Sequence, residues 1–245
     1  MARIAFVGHA TVLVEIAGVR LLTDPLLRGR VAHLRRIAPF PVVAGLWEPD
    51  AVLVSHAHLD HLDLPSLRRL APATRIVLPR GRAGLATRAG LRDVTEVGAG
   101  DRVAVGGIEV VATPAEHDGR RLPLGRRASA LGYLMEGPER VYFAGDTDIF
   151  EGMRDLAAGL DVALLPVSGW GRRLPAGHLD PERAARAAAL LGPRIAVPIH
   201  WGTYASPAAR RSDPKRPAGE FARHMASYAP DVEVKILRPG DGLTI

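Results

Sequence analysis

The chain has no cysteine, and its apolar runs are no longer than a strand. Without cysteine there is neither a disulfide framework nor a thiolate metal ligand, which leaves imidazole and carboxylate groups for binding a metal ion. The longest apolar runs, such as IEVVAT and RIAVPI, fall far short of the roughly 20 residues that cross a bilayer. The sequence therefore predicts no transmembrane segment.

Lysine is also scarce. Lys215 and Lys235 are the only lysines among 32 basic residues, so arginine carries nearly all of the positive charge behind the formal net charge of +6. The basic residues are scattered and are not interleaved with aromatic residues that would stack on bases, so we expect no nucleic-acid partner. The opening MARIAFVGHATVLVEI carries polar residues too early for a signal peptide, which favours a cytoplasmic location.

The order of strand-like and helix-like segments predicts the fold class. Short β-rich runs open the chain, and in each half strands alternate with helices towards the end. This pattern predicts an α+β fold with two sheets packed face to face and helices on the outer surfaces. At this length, with 47% hydrophobic content, we expect residues 1–245 to form a single domain.

Several helix boundaries follow from capping residues. Asp63 is expected to cap a short helix after the segment AVLVSHAHLDH, and Asp180 a longer one that ends at Gly192. We also predict a helix over residues 149–159. The proline- and arginine-rich stretch from Pro25 to Pro49 has weak periodicity, and we expect a loop or short helix that covers the functional site.

The segment SHAHLDH concentrates metal-binding side chains directly after an apolar strand. It contains His56, His58, Asp60 and His61, although the whole chain has only nine histidines. In an extended segment alternate side chains point the same way, so His56 and His58 are able to reach one ion, and a turn directs the next two towards another. A loop that merely caps the strand is the alternative, and four donors in this order argue against it.

Three further donors follow predicted strands elsewhere in the chain. His117 follows EVVATPAE, Asp146 follows VYFAG, and His200 follows RIAVPI. Each has an ordinary alternative, namely a loop histidine, a helix cap and a packed imidazole. Because strand ends that meet at one sheet edge are where open sheets place ligands, we expect these side chains to converge with the SHAHLDH segment.

The motifs SHAHLDH, PAEH, FAGDTD and IHWGT occur in the order found in metallo-β-lactamase-fold hydrolases, and the chain resembles that family. It is most similar to the branch that holds N-acyl-phosphatidylethanolamine phospholipase D and L-ascorbate-6-phosphate lactonase. GHATVLVEIAGVRLLTDP near the start and HLDPERA near the end also match that branch. The resemblance implies a four-layer αβ/βα sandwich with the metal site at its open edge.

The resemblance also implies a dinuclear site. It places His56, His58 and His117 on one ion, and Asp60, His61 and His200 on the second, with Asp146 bridging both. Zinc is the first expectation for the two divalent ions, while manganese and iron accept the same ligands. A water-derived hydroxide between the two ions is the expected nucleophile.

Other residues receive roles from the same comparison. Asp60, Asp146 and His178 are expected to take part directly in catalysis, His178 as a general acid or a substrate ligand. His9 and Asp24 are expected to orient the metal ligands rather than bind an ion themselves. Four arginines close to His117 are candidates for binding a phosphate, although a solvated loop explains them equally well. They are Arg120, Arg121, Arg126 and Arg127.

We expect a metal-dependent hydrolase whose substrate is a small anionic ester or lactone. A phosphodiesterase is the first hypothesis, and a lactonase or carboxylic-ester hydrolase acting on a small metabolite is the second. A protein that binds metal or nucleic acid without catalysis is the third, and the complete ligand set argues against it. The apolar residues between Pro25 and Trp47 leave peripheral lipid contact open, and self-association is open as well.

Overall fold

The computed structural model describes residues 1–121, 128–168, 174–206 and 213–245. Within these ranges the chain forms two seven-stranded sheets and one small three-stranded sheet. In spatial order, the first sheet contains β17 (Gly242–Thr244), β1 (Arg3–Gly8), β2 (Thr11–Ile16), β3 (Val19–Thr23), β6 (Ala51–Leu53), β7 (Arg75–Pro79) and β8 (Val94–Val97). β17, β1, β2 and β3 are antiparallel neighbours, whereas β3, β6, β7 and β8 run parallel.

The second sheet has the same mixture of strand directions. In spatial order, it contains β16 (Glu233–Val234), β14 (Ile195–Ile199), β13 (Val162–Pro166), β12 (Arg140–Phe143), β11 (Ser129–Glu136), β10 (Ile108–Asp118) and β9 (Arg102–Val105). β9 to β12 are antiparallel, and β12, β13, β14 and β16 are parallel. β12 and β14 therefore end at the same edge, where Asp146 and His200 follow.

Four α-helices lie among the described residues: α1 (Leu64–Leu67), α2 (Ala83–Arg88), α3 (Pro181–Leu191) and α4 (Arg216–Tyr228). The predicted caps are confirmed. The Asp63 carboxylate accepts the Ser66 N–H, and the Asp180 carboxylate accepts the Arg183 N–H at 2.8 Å. Gly192 ends α3 in the left-handed conformation that glycine adopts readily.

Three apolar clusters separate four layers. Between the sheets, side chains such as Phe6, Val12, Tyr133 and Phe143 are fully buried. A second cluster lies between the second sheet and helices α3 and α4, and a third lies between the first sheet and helices α1 and α2. Each sheet thus has one face on its partner sheet and one face under helices. This arrangement confirms the predicted α+β sandwich with helices outside.

Two local predictions were wrong. The segment 149–159 forms only a 3-10 turn at Met153–Leu156, because Gly152 and Gly159 both take left-handed φ angles that interrupt a helix. The stretch from Pro25 to Pro49 contains two strands, β4 (Arg30–Val31) and β5 (Leu34–Arg36). β5 pairs with β15 (Tyr204–Ala205), so this stretch is joined by strand pairing to the segment that follows His200.

Among the described residues, no helix has both the length and the apolar character that crossing a membrane requires.

One buried hydrogen bond connects the two sheets at the edge that carries the donors. The Tyr133 hydroxyl on β11 donates to the Val54 carbonyl, just beyond β6, at 2.8 Å. Tyr133→Phe should lower the free energy of unfolding by about 1–2 kcal/mol, because the buried carbonyl loses this donor. Urea denaturation measures the change. Tyr228→Phe is the matched control, since its hydroxyl binds Glu182 at the surface, and equal effects of the two variants would contradict the prediction.

Candidate metal centre

The loop of residues 54–63 joins β6 to α1 and carries four of the predicted donors. It is held from the side by Arg121, whose Nη1 donates to the carbonyls of Ala57 and Leu62 at 3.1 and 3.0 Å. Within the loop, the His61 N–H donates to the His58 carbonyl at 3.1 Å, which closes a turn. Backbone and arginine contacts therefore hold the loop in place, and the fixed backbone orients its imidazole side chains.

Three imidazoles form the first donor group, which consists of His56, His58 and His117. The Nε2 atom of His56 and the Nδ1 atom of His58 are 2.9 Å apart, and the Nε2 atom of His117 lies 3.3 Å from the same Nδ1 atom. Nitrogen atoms bound tetrahedrally at about 2.0–2.1 Å from a zinc ion are separated by about 3.4 Å. The group has the spacing of three ligands that share one ion.

Backbone geometry aims His117 at this group. His117 is the penultimate residue of β10 and does not lie in a loop. The register of β10 with β11 shifts between Ala115 and Asp118. Such a bulge redirects a side chain that a regular strand would point elsewhere. The Nδ1 atom of His117 donates to the Gly177 carbonyl at 2.8 Å, because a carbonyl only accepts. Nε2 is therefore the nitrogen left for an ion.

The second donor group consists of His9, Asp60, His61 and His200. An Asp60 carboxylate oxygen lies 3.3 Å from His9 Nε2 and 3.8 Å from His61 Nε2. The His9 and His200 rings approach to 4.1 Å between centroids. His9 was expected only to orient other ligands, yet its Nε2 atom lies among the donor atoms. Its role as an orienting residue stays a prediction.

Asp146 lies between the two groups. One carboxylate oxygen is 3.3 Å from His61 Nε2 and the other is 3.5 Å from His200 Nε2. The same carboxylate forms a further donor group with His117 and His178, and its Oδ2 atom is 3.6 Å from His178 Nε2. Asp146 thus contacts residues of both groups, which is the placement that a bridging ligand requires.

Asp24 connects the two donor groups through hydrogen bonds. Its carboxylate accepts the Ser55 N–H at 2.7 Å, the Ser55 hydroxyl at 2.5 Å and the His61 Nδ1–H at 2.7 Å. The Ser55 hydroxyl in turn accepts the His56 Nδ1–H at 2.9 Å. One buried carboxylate therefore sets the ring orientation of His61 directly and that of His56 through Ser55, leaving both Nε2 atoms turned towards the centre.

Unusual backbone angles concentrate at the same place. His9, Asp24 and His200 have φ angles of 60°, 31° and 64°, and they are three of the five non-glycine residues with positive φ among the described residues. Each such angle costs on the order of 1–3 kcal/mol, so it persists only where the surroundings enforce it. The His200 N–H donates to the His9 carbonyl at 2.8 Å, which ties two of these residues together.

Burial and neighbouring charges determine the protonation of the centre. Burial, reinforced by nearby imidazoles, lowers the pKa of His58 to about 4, and burial lowers the pKa of His200 to about 3. The pKa values of His56 and His117 are lowered mainly by burial as well. These four imidazoles are therefore neutral at neutral pH, and a neutral imidazole is the form that binds a metal ion.

At Asp60, Asp146 and His61, neighbouring charges outweigh the effect of burial on the pKa. Burial acts against ionisation of Asp60 and Asp146, but the surrounding imidazoles outweigh it and hold both pKa values well below the usual range. Burial also opposes protonation of His61, yet Asp146, Asp24 and Asp60 raise its pKa well above the usual value. Without a metal ion the protein thus uses a proton on His61 as its local counter-charge.

The donors fit divalent cations. Asp146 Oδ1 is buried and makes no hydrogen bond to any described residue, so it retains capacity for another ligand. The set offers imidazole nitrogen and carboxylate oxygen, which zinc, manganese and iron all accept. Loss of the His61 proton upon metal binding would replace one positive charge by another.

The remaining predicted residues fall into three situations. His178 packs edge-on against His117 with 4.6 Å between ring centroids, so it lies at the centre, and its catalytic role stays a prediction. Arg120 binds the Asp118 carboxylate and Arg121 binds the loop carbonyls, so both guanidinium groups are engaged by the protein, and their contact with substrate stays a prediction. Arg126 and Arg127 lie outside the described residues.

Sequence reasoning missed Ser55 and the structural use of Arg121. The signal for Ser55 was its position, because it is a polar residue between an apolar strand and the first histidine. Thr203 was also missed. Its hydroxyl accepts the His9 N–H at 2.9 Å, and its side chain packs so closely on Gly8 that a Cβ there would lie 2.5 Å from Thr203 Cγ2.

Comparison with known proteins agrees with this fold and centre. The Beta-lactamase superfamily domain matches residues 19–201. A metal-dependent hydrolase of the UPF0173 family from Methanopyrus kandleri is 35% identical over 246 residues, covering 98% of each chain. Among solved structures, the metallo hydrolase Igni18 from Ignicoccus hospitalis superposes with a TM-score of 0.74 at 24% identity, covering 99% of this chain and 97% of its own.

The fold and the donor groups thus define a metal-dependent hydrolase of the metallo-β-lactamase superfamily. Within it, the chain belongs to the UPF0173 family of metal-dependent hydrolases. Another fold neighbour, with lower sequence identity, is the diiron β-hydroxylase CmlA from Streptomyces venezuelae, with a TM-score of 0.76 at 20% identity, and the chain spans about half of its length. The predicted superfamily is confirmed, whereas none of these similarities singles out the phospholipase and lactonase branch.

Asp24→Asn should weaken zinc binding by about 10- to 100-fold, because the amide no longer accepts from His61 as a carboxylate does. Ser55→Ala should weaken mainly zinc binding at the first donor group, since Ser55 contacts His56 of that group. Competition with a zinc chelator measures both affinities. Asp93→Asn at the surface is the matched control, and an unchanged affinity in Asp24→Asn, with a native circular dichroism spectrum, would contradict the orienting role.

The stability of chelator-treated protein should fall as the pH is lowered from about 6.5 towards 4. An unfolded histidine takes up a proton near pH 6.5, whereas folded His58 does so only near 4. The unfolded state therefore binds more protons in this window, which favours unfolding. His58→Gln should make this decrease in the free energy of unfolding smaller by about 1–2 kcal/mol, a value that allows for partial exposure of the ring. His33→Gln, at the exposed surface, should leave the pH profile unchanged.

Proposed function

We propose that this hydrolase cleaves phosphodiesters with two divalent cations. The first donor group would hold one cation and Asp60, His61 and His200 the other, with Asp146 between them. The observation that carries the proposal is the position of the Asp146 carboxylate. Its Oδ1 atom faces His200, its Oδ2 atom faces both His61 and His178, and it also forms a donor group with His117. A carboxylate placed in this way favours a dinuclear over a mononuclear centre.

Two divalent cations, when bound, would lower the pKa of a water molecule and stabilise negative charge that develops on the substrate. The protein contributes two ionised carboxylates, Asp60 and Asp146, against four positive charges of such a pair. The centre would therefore keep an excess of positive charge. This excess favours an anionic substrate such as a phosphodiester over a neutral one.

The protein residues orient and transfer protons. Asp24 and Ser55 hold His61 and His56 in the required ring orientation. His178 lies beside Asp146 with its side chain 14% exposed, so its Nε2 atom has access both to the centre and to a bound substrate. We assign His178 as the general acid that donates a proton to the leaving oxygen.

Zinc is the proposed ion because imidazole and carboxylate ligands at this spacing suit it. The fold neighbour CmlA is a diiron β-hydroxylase, which keeps iron among the candidates, and manganese accepts the same ligands. The similarity of the N-terminal and HLDPERA motifs to the phospholipase and lactonase branch supports an ester substrate. A lactone or carboxylic ester is the second candidate, since the same chemistry attacks a carbonyl.

Zinc-loaded protein should hydrolyse bis(p-nitrophenyl) phosphate, and Asp146→Ala should reduce the rate to the uncatalysed level. Activity is followed by release of p-nitrophenolate, with the metal content of each sample measured in parallel. Asp93→Ala is the control for substitution of an aspartate, and it should retain wild-type activity. Turnover of lactones with no turnover of any phosphodiester, in protein shown to contain metal, would contradict the phosphodiester assignment.

His178→Gln should slow hydrolysis most where the leaving group needs a proton. With a diester that releases an alkoxide the expected loss is about 10²-fold or more, and with bis(p-nitrophenyl) phosphate it is much smaller, because p-nitrophenolate leaves without protonation. His224→Gln in α4 is the matched control. Equal losses for both substrates would argue that His178 binds substrate or supports the centre and is not a general acid.

A further inference from the structure

A cleft of about 600 Å³ lies apart from the metal centre. Its walls come from four segments of the chain: residues 37–39 after β5, residues 201–202 after His200, residues between 214 and 219 at the start of α4, and residues between 236 and 239 before β17. None of the donor residues lines it. Its volume is in the range of about 300–1,000 Å³ that small-molecule sites occupy.

The floor and walls of the cleft are apolar. Trp201 forms the inner wall, and its Nε1–H already donates to the Pro198 carbonyl, so the ring presents its apolar surface. Ile37 and Ile236 line the cleft from two segments and are 50% and 41% exposed. Large apolar side chains left this exposed beside a concavity are typical of a ligand groove.

The charged residues of the cleft are all positive. Lys215 and Arg238 line it together with apolar residues, glycine and proline, and no acidic side chain of the described residues does so. Asp213 and Asp241 lie close by along the chain, but they accept the backbone N–H groups of Lys215 and Arg238. Among the described residues no carboxylate forms an ion pair with either cation. The positive end of the α4 dipole adds to the same potential.

We propose that this cleft binds a small amphipathic anion. The apolar body of the ligand lies against Trp201, Ile37 and Ile236, and its carboxylate or phosphate head is held by Lys215 and Arg238. The volume of the cleft suits a single small molecule, and the two cations select a negative head. The site is independent of the proposed phosphodiester hydrolysis, because it uses no metal donor.

Calorimetric titration with hexanoate, octanoate and decanoate tests the proposal. Affinity should rise about fourfold with each added methylene group as long as the chain fits. Octyl phosphate should bind like octanoate, whereas octyl glucoside, which is neutral, should bind more weakly. Absence of octanoate binding, or an affinity independent of chain length or of head-group charge, would overturn the proposal.

Gly219→Leu places a side chain in the cleft without disturbing its helix. A Cβ at Gly219 meets no heavy atom of the described residues within 4 Å, and leucine has a higher helix propensity than glycine. The variant should abolish octanoate binding while unfolding at the same or a higher temperature. Gly84→Leu in α2 is the matched control, since a Cβ there also meets nothing within 4 Å. Unchanged octanoate binding in Gly219→Leu would overturn the assignment.

Charge and location are tested separately. Lys215→Gln and Arg238→Gln should each weaken the binding of octanoate by up to about fivefold. They should leave the binding of octyl glucoside unchanged. Asp146→Ala and chelator-treated protein should bind octanoate as the wild type does. Loss of binding in either would assign octanoate to the metal centre and overturn the proposal.

Two macromolecular occupants are distinguished in the same series. Co-sedimentation with anionic phosphatidylglycerol vesicles, in the absence of binding to free octanoate, would assign the cleft to a membrane surface. A wild-type dimer in sedimentation velocity that Gly219→Leu dissociates would assign it to a second copy of the chain. Either result would overturn the small-molecule proposal, whereas a sedimentation coefficient unaffected by Gly219→Leu supports it.

Discussion

The Asp24 carboxylate is the contact on which the rest of the centre depends. It binds Ser55 twice and His61 once, and through Ser55 it reaches His56, so one buried group orients a histidine of each donor group. Burial of this carboxylate is tolerated because it accepts three hydrogen bonds, which replace those it would make with water. The adjacent strands β3 and β6 are parallel neighbours, which brings residues 24 and 55 to the same edge.

The centre concentrates features that are unfavourable in isolation. Buried carboxylates, neutral imidazoles with lowered pKa values and left-handed φ angles at His9 and His200 all occur within one cluster. The three apolar clusters around the two sheets supply the stability that holds them. Bound cations would relieve the same conflict, because they would compensate the carboxylates and use the imidazole lone pairs. We therefore expect metal binding to stabilise the folded state.

Much of the fold and centre followed from local patterns. Asp63 and Asp180 cap helices because a carboxylate before an apolar-periodic segment satisfies the first N–H groups. His117, Asp146 and His200 converge because each lies at or just beyond the end of a strand. The helix expected over residues 149–159 does not form, because two glycines in this segment adopt left-handed conformations that interrupt a helix. The strands between Pro25 and Pro49 were missed because β5 pairs with residues about 170 positions later.

The sequence by itself determined the donor types, their grouping behind strands, the superfamily and the layered α+β fold, because these depend on residue identity and short-range periodicity. Tertiary structure alone decided which nitrogen of each histidine faces the centre, since that depends on distant partners such as Gly177 for His117 and Asp24 for His61. It alone placed His9 among the donors and directed Arg121 to the loop carbonyls. It also assembled the cleft beside Trp201 from four separate segments, because long-range packing has no signature within any one of them.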